Sequence, residues 1–291
     1  MKYLYYPGCS LKGTGRAYEE SLLAVFGALH LPLQELDDWN CCGATAYMAV
    51  DEMKAFALAA RNLALAEAQG SGNDDVTLVV PCNACYLVLM KTQRYMQEYA
   101  EVGKKLTRIL EAAGLHYEGK VAIRHPLDVL VNDIGLEHIS GHVKHSLGDL
   151  PVAAYYGCQM VRPYSTFDDQ HNPMSMDRLA KALGAAPVDW PLKTRCCGGA
   201  LTGTIENVGV RLNYILLKEA QKRGAQVMTT ACPLCQFNLE CYQGSMNRQY
   251  EERIHVTPIY FSQLMGVAFG LSQHTLGLHR SLVPMPQQLA I

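Results

Sequence analysis

At 291 residues, 49% hydrophobic and 18% charged, the chain has the length of two ordinary domains and the composition of a globular protein. Its formal net charge of -2 gives no reason to expect nucleic acid or an anionic membrane surface as a partner. The most apolar stretches, such as "LMGVAFGL", fall well short of the roughly 20 residues that a bilayer span requires.

The chain opens on "MKYLYYPGCSLKGTG", which has neither a continuous apolar core nor a small-residue cleavage site. The mature protein is therefore expected to begin here and to be cytoplasmic. A strand-like run at 2–7 leads to helices at 15–30 and 51–69, a strand at 75–80, helices at 84–98 and 101–114, and a strand at 119–124. A polar, Gly/Pro-punctuated stretch, "ISGHVKHSLGDLP" at 139–151, marks a boundary. The series then restarts with a strand at 152–157, helices at 174–184 and 204–223, a strand at 225–230, a helix at 235–247 and a strand at 254–260. Strands alternating with helices predict an α/β protein of two pseudo-symmetric, Rossmann-like domains, 1–145 and 146–291, each a short parallel sheet flanked by helices.

Eleven cysteines is a large number for a chain without an export signal, and in a reducing compartment it argues for metal rather than disulfides. Ten of them fall into two ordered sets. The first is Cys9, the adjacent pair Cys41-Cys42 in "DWNCCGA", then Cys82 and Cys85 in "PCNAC". The second is Cys158, Cys196-Cys197 in "TRCCGGA", then Cys232 and Cys235 in "ACPLC". All five positions recur in the same order about 150 residues on, the mark of an internal duplication. Each Gly-Cys and each C-x-x-C falls just past a predicted strand, at the sheet edge where open α/β folds bind ligands. There the amides of turns and helix starts can offset the charge of an anionic cluster. Gly43 and Gly198 would let backbone approach inorganic sulfide.

A structural zinc site takes four ligands, commonly from two C-x-x-C units, whereas each half offers one such unit, one adjacent pair and one distant cysteine. An ordinary cubane also takes four, and the compact ferredoxin run is absent. Free cysteines are often only small buried hydrophobes, a reading that suits one cysteine better than ten in matched order. Five thiolates gathered from three strand ends suit a larger or more open cluster.

These residues resemble the catalytic B subunit of heterodisulfide reductase, within the family of proteins with cysteine-rich CCG domains. The resemblance runs through "YYPGCSLKGTGRAYEES", "DWNCCGA", "YYGCQMVRP", "DDQHNPMSMDRLAKALGA" and "TPIYFSQLMGVAFGL", nearly the whole chain. It implies two noncubane [4Fe-4S] clusters, one held by Cys9, Cys41, Cys42, Cys82 and Cys85, the other by Cys158, Cys196, Cys197, Cys232 and Cys235. It further implies that clusters facing one cleft split a disulfide, or join thiols in reverse. Electrons would come from a ferredoxin-like C subunit fed by a flavin-bearing A subunit. Methanogen-type members often carry His after the cysteine opening the second motif; here it is Gln159, which does not titrate near neutrality. That favours a bacterial relative acting on a protein-bound thiol or lipoamide. The alternatives are an electron-relay subunit of a succinate- or lactate-type complex without its own substrate site, and zinc in one half.

The remaining features read blandly. "GCSLKGTGRAYEE" lacks the endings of a P-loop or dinucleotide fingerprint and is expected only to present Cys9. Lys12, Arg16 and Arg162 read as solvated charge, and His138, His142 and His145 as polar side chains on the surface rather than metal ligands. His125 and His171 are candidate proton donors, and Cys241 is expected in the core. The closing "PIYFSQLMGVAFGLSQHTLGLHRSLVPM" is apolar enough to pack on the core or to dock a partner.

Overall fold

The computed structural model describes residues 3–45, 47–70 and 76–289; Lys2 and Asp75, where two of the predicted strands begin, lie outside them. Its strands are β1 Tyr3–Tyr5, β2 Leu33–Glu35, β3 Val76–Val79, β4 Val121–Arg124, β5 Pro151–Tyr155, β6 Ala186–Pro187, β7 Val227–Thr230 and β8 Thr257–Tyr260. The helices begin with α1 Gly8–Leu11, α2 Arg16–Ala28, α3 Tyr47–Val50, α4 Glu52–Gln69, α5 Asn83–Glu98, α6 Ala100–Ala112 and α7 Pro126–Asp128. They continue with α8 Leu136–Gly141, α9 Ser175–Ala182, α10 Glu206–Lys222, α11 Pro233–Cys241, α12 Gln243–Gln249 and α13 Phe261–Ala268.

The strands form two parallel four-stranded sheets with the same order, β2-β1-β3-β4 and β6-β5-β7-β8. Their central members, such as "VTLV" in β3 and "VMTT" in β7, are β-branched or apolar almost throughout. Parallel strands need that composition because helices cover both faces. The shared order has a chemical consequence. From β1 the chain winds outward to β2 at the edge and then returns past β1 to β3, so the loops leaving β1 and β3 diverge and open a crevice at their C-terminal ends. The second sheet repeats this at β5 and β7.

Compactness divides the chain differently from its repeat, whose expected halves were 1–145 and 146–291. One compact unit comprises Met1–Lys12 with Leu31–Pro126, the other Gly13–His30 with Leu127–Ile291. The first unit contains the sheet β2-β1-β3-β4 and a helical layer in which Phe56, Ala60 and Ala64 of α4 pack on Leu106 and Leu110 of α6. Asp51 starts α4 by accepting a bond from the Lys54 amide.

In the second unit α2 packs on α13. Tyr18 stacks on Tyr260 at 4.4 Å, Phe261 meets the same ring edge-on at 5.9 Å, and the Ser21 and Ser262 hydroxyls lie 2.7 Å apart. Phe261 through Phe269 are buried, so this part of the apolar closing segment is core. Glu20, also on α2, pairs with Arg280 at 2.9 Å.

Some elements differ from the sequence expectation. The helix expected at 235–247 breaks at Tyr242 into α11 and α12. β2, β6, α13 and the helical stretch α7, a π-helical turn at Val129–Gly135, and α8 had no counterpart in the periodicity.

Candidate metal centres

In each half, three successive strand ends deliver the cysteines. Cys9 lies in α1 just past β1, Cys41-Cys42 on the loop after β2, and Cys82 and Cys85 at the start of α5 after β3. Cys158 follows β5, Cys196-Cys197 the loop after β6, and Cys232 and Cys235 open α11 after β7. The C-x-x-C geometry is the same twice. Cys82 and Cys232 are extended N-cap residues, and their carbonyls accept the first helical bonds, from Tyr86 at 2.8 Å and Gln236 at 3.0 Å. The second cysteine of each unit is then carried back towards the first by one helical turn. Pro233, at the first position of α11, suits a site whose amide needs no partner.

The sulfurs of each set are in contact. In the first, Cys42 Sγ lies 3.1 Å from Cys85 Sγ, Cys41 Sγ lies 3.9 Å from Cys9 Sγ, and Cys82 adjoins Cys85. In the second, Cys197 Sγ lies 3.4 Å from Cys235 Sγ, Cys196 adjoins Cys158 and Cys197, and Cys232 adjoins Cys235. Cys42, Cys82, Cys85, Cys197, Cys232 and Cys235 are buried, whereas Cys9, Cys41 and Cys196 are exposed and Cys158 half-exposed. Each quintet therefore has a dry inner side and a side open to approach.

So many thiols at such distances cannot all ionise. Cys41 is pulled down to about 2 by bonds from Cys42 and Cys9 and from the Gly43 amide. Cys196 falls to about 2 through Cys158, Cys197 and the Gly198 amide, with Arg162 adding a favourable charge. Their neighbours move the other way: Cys42 is pushed up to about 11 by Cys41, and Cys197 to about 11 by Cys196. Cys9 and Cys158 are raised by Cys41 and Cys196 and then by burial, Cys85 and Cys235 by Cys42 and Cys197 and then by neighbouring cysteine and burial. Like-charge repulsion opposes further ionisation within each set, and a polycationic core is what would let all five lose their protons.

The surroundings fit such a core. Among the described residues no group of three or more His, Cys, Asp or Glu side chains stands where it could hold a metal ion as it is, and what fits is the backbone around the sulfurs. A Cβ on Gly8 would stand 3.0 Å from Cys85 Sγ, so this backbone abuts sulfur and needs a residue without a side chain. Gly43 and Gly198 have φ of +79° and +96°, which glycine adopts at no steric cost, and their amides donate to Cys41 Sγ at 3.4 Å and Cys196 Sγ at 3.3 Å.

Behind these two glycines a helix passes closely. A Cβ would lie 3.0 Å from the Ala55 Cα on α4 and 3.1 Å from the Gly209 Cα on α10. Gly209 is itself pressed against Thr202, whose backbone would be 2.7 Å from an added Cβ. Gly209→Ala is expected to lose about 1–3 kcal/mol by overpacking. Thermal unfolding measures it, and an unchanged melting temperature would contradict the packing.

Two tyrosines escaped the sequence reasoning. The Tyr6 hydroxyl donates to the Asn40 carbonyl at 2.8 Å, and the Tyr155 hydroxyl to the Arg195 carbonyl at 2.7 Å; each carbonyl immediately precedes a cysteine pair. Both phenols are held neutral by burial and by the neighbouring sulfurs. Trp39 packs on Tyr6 and Trp190 on Tyr155, with ring centroids 5.7 and 6.1 Å apart. The signal was present: both tryptophans of the chain follow an aspartate, Asp38 and Asp189. Tyr155→Phe leaves the Arg195 carbonyl unpaired by this donor and is expected to cost about 1–3 kcal/mol, read in a denaturant midpoint. No loss would show that the bond does not hold the loop.

The second cysteine-pair loop has a further anchor. Lys193 Nζ lies 2.8 Å from Asp177 Oδ1, both side chains buried, while the Tyr156 hydroxyl donates to Asp177 Oδ2 at 2.7 Å. The Lys193 carbonyl accepts from the Tyr156 and Gly157 amides at 3.0 and 3.2 Å. This network ties the strand leading to Cys158 to the loop leading to Cys196.

Other candidates resolve individually. Cys241 is exposed at the end of α11, not in the core, because it lies one turn on from exposed Phe237, on the outward face of that helix. His125 is fully buried, with a ring nitrogen 3.2 Å from the Pro81 carbonyl and its ring edge-on to Tyr86, so it braces the first C-x-x-C segment from within. His171 is exposed, in a cavity also lined by Asp189, Trp190 and Lys193. Lys12 pairs with Glu35 at 2.7 Å and Arg16 with Glu20 at 3.2 Å, whereas Arg162 bonds to the Thr194 carbonyl beside Cys196. His138 and His145 are exposed and His142 partly so.

The family described as cysteine-rich domain, CCG, matches twice, at residues 3–90 and 152–240. The chain is 29% identical over 284 residues to the 8-methylmenaquinol:fumarate reductase membrane anchor subunit of Wolinella succinogenes, covering 97% of each. It is 29% identical over 280 residues to a protein of Archaeoglobus profundus described as like the B subunit of heterodisulfide reductase, covering 93% of this chain and 91% of that one. To the B subunit of the ferredoxin:CoB-CoM heterodisulfide reductase of Methanosarcina mazei it is 28% identical over 293 residues, covering 97% and 94%. In fold it is similar to a hypothetical protein from Helicobacter pylori, with a TM-score of 0.76 at 14% identity over 98% of this chain and 52% of that one, about half the neighbour's length.

Proposed function

The chain belongs to the cysteine-rich CCG-domain family, with two copies of the domain, and from that premise we propose that it is the iron-sulfur subunit of a heterodisulfide reductase-like complex. Each quintet holds one noncubane [4Fe-4S] cluster, and the subunit reduces a disulfide or, in reverse, oxidises thiols. The observation that carries this reading is the contiguity of five sulfurs in each half, buried on one side and open on the other. The similarity to heterodisulfide reductase B subunits over nearly the whole chain supports it.

The overall reaction takes one disulfide, two electrons and two protons to two thiols. When bound, the clusters supply electrons singly and offer iron to sulfur. The chain's own residues do the rest. The inner cysteines keep water from one side of each site, and the Gly43 and Gly198 amides, with the starts of α5 and α11, offset negative charge there. Gln159, half-buried beside Cys158, can hold a substrate atom by a hydrogen bond but gives up no proton, so protons come from solvent or from the carrier of the thiol. Electrons would arrive from a ferredoxin-like subunit fed by a flavin subunit, and protein-bound lipoamide is a fitting substrate.

A second reading is favoured by the similarity to the Wolinella subunit: a relay or attachment subunit with no substrate of its own. Among the described residues no helix is long and apolar enough to cross a membrane. Adding small disulfides, lipoamide among them, to anaerobically purified protein separates the two. The substrate-site reading expects a changed cluster EPR signal, and an unaltered spectrum at saturating disulfide would leave the relay.

A further inference from the structure

The two sites are not equivalent. Three residues past the second cysteine of C-x-x-C stands Val88 in the first half and Asn238 in the second. Both are buried, at 3% and 0% exposure, but only Asn238 carries donors. Its Nδ2 lies 2.8 Å from the Gly199 carbonyl, 3.4 Å from the Cys197 carbonyl and 3.5 Å from Cys197 Sγ. Its Oδ1 accepts from the Thr202 hydroxyl at 2.8 Å. The Gly199 and Cys197 carbonyls can only accept, which fixes the Nδ2 end of the amide towards the loop. One N–H goes to Gly199, and the other is shared between the carbonyl and the sulfur of Cys197. The first loop is secured otherwise, by Asn62, which bonds to the Asn40 backbone at 2.9 Å.

We propose that Asn238 is a positioning residue that sets the two sites apart electronically, raising the reduction potential of the centre held by the second quintet above that of the first. A hydrogen bond to a ligating sulfur withdraws negative charge and favours the reduced, more negative state. The Arg162 guanidinium, fixed on the Thr194 carbonyl beside Cys196, acts in the same direction. Electrons entering the subunit therefore settle first at the second site. The inference rests on the two-cluster reading.

The test is an EPR-monitored potentiometric titration of the full chain, purified anaerobically, with the second site's signal assigned by its loss in Cys197→Ser. Two midpoint potentials are expected, the higher belonging to the second site. Asn238→Leu should lower that potential and leave the other in place at unchanged iron content. If the iron is unchanged and neither potential moves, the proposal is overturned while the two-cluster reading stands. Should Asn238→Leu lose iron, Asn238→Asp, which keeps the acceptor for Thr202 but not the donors, is read in its place, and an unmoved potential there is equally fatal. A wild-type protein carrying iron for one cluster overturns the two-cluster reading and this proposal together.

Discussion

A Cys197→Ser variant is expected to lose about half of the iron of the unaltered protein and all of its disulfide turnover. Cys197 is 3% exposed, its sulfur lies 3.4 Å from Cys235, and it sits between Cys196 and the start of α11. A serine oxygen there is smaller, harder, and far less ready to ionise beside other thiolates. The first quintet belongs to a separate sheet, β2-β1-β3-β4, and should keep its share. Cys42→Ser, whose sulfur lies 3.1 Å from Cys85, is the mirror experiment and should empty the first site alone. Cys241→Ser is the control, since this exposed residue stands outside both sets and should change neither iron nor sulfide. Colorimetric iron and acid-labile sulfide measure all three. Full iron in Cys197→Ser would show that the second quintet is not a ligand set.

The second large effect concerns stability. Lys193→Met leaves Asp177 buried with the Tyr156 hydroxyl but without its cation, and is expected to cost about 3–5 kcal/mol. Truncating one member of a buried pair is costly because the survivor's desolvation goes unanswered. Replacing both, as in Lys193→Met with Asp177→Leu, should recover most of the loss, since an apolar pair of similar volume needs no compensation. Denaturant midpoints read the series. A single variant as stable as the wild type, or a double variant no better than the single, would contradict the role given to the pair.

What was legible in the sequence was what repeats. The ten cysteines kept their order in both halves, and their places past β1, β3, β5 and β7 followed from β-branched and aromatic runs ending at Gly-Cys or C-x-x-C. β2 and β6 were not legible because three- and two-residue strands are too short to show a period. α13 was read only as an apolar run, since a helix buried all round has no polar face to reveal it. The stretch 126–141 was obscured by its π-helical turn and by Gly135 within it. The contact of α2 with α13 joins Ser21 to Ser262, 241 positions apart, which no local pattern encodes. At the sites, the paired Asp-Trp words were available and unused, whereas Asn238 and the Lys193–Asp177 pair have no counterpart in the other half to draw attention to them.

The proposal that each quintet holds one iron-sulfur cluster is decided by the metal and acid-labile sulfide content of the full chain, isolated anaerobically and analysed for iron and zinc together. About eight irons and matching sulfide per chain are predicted; about four irons, or zinc in stoichiometric amount, would contradict it.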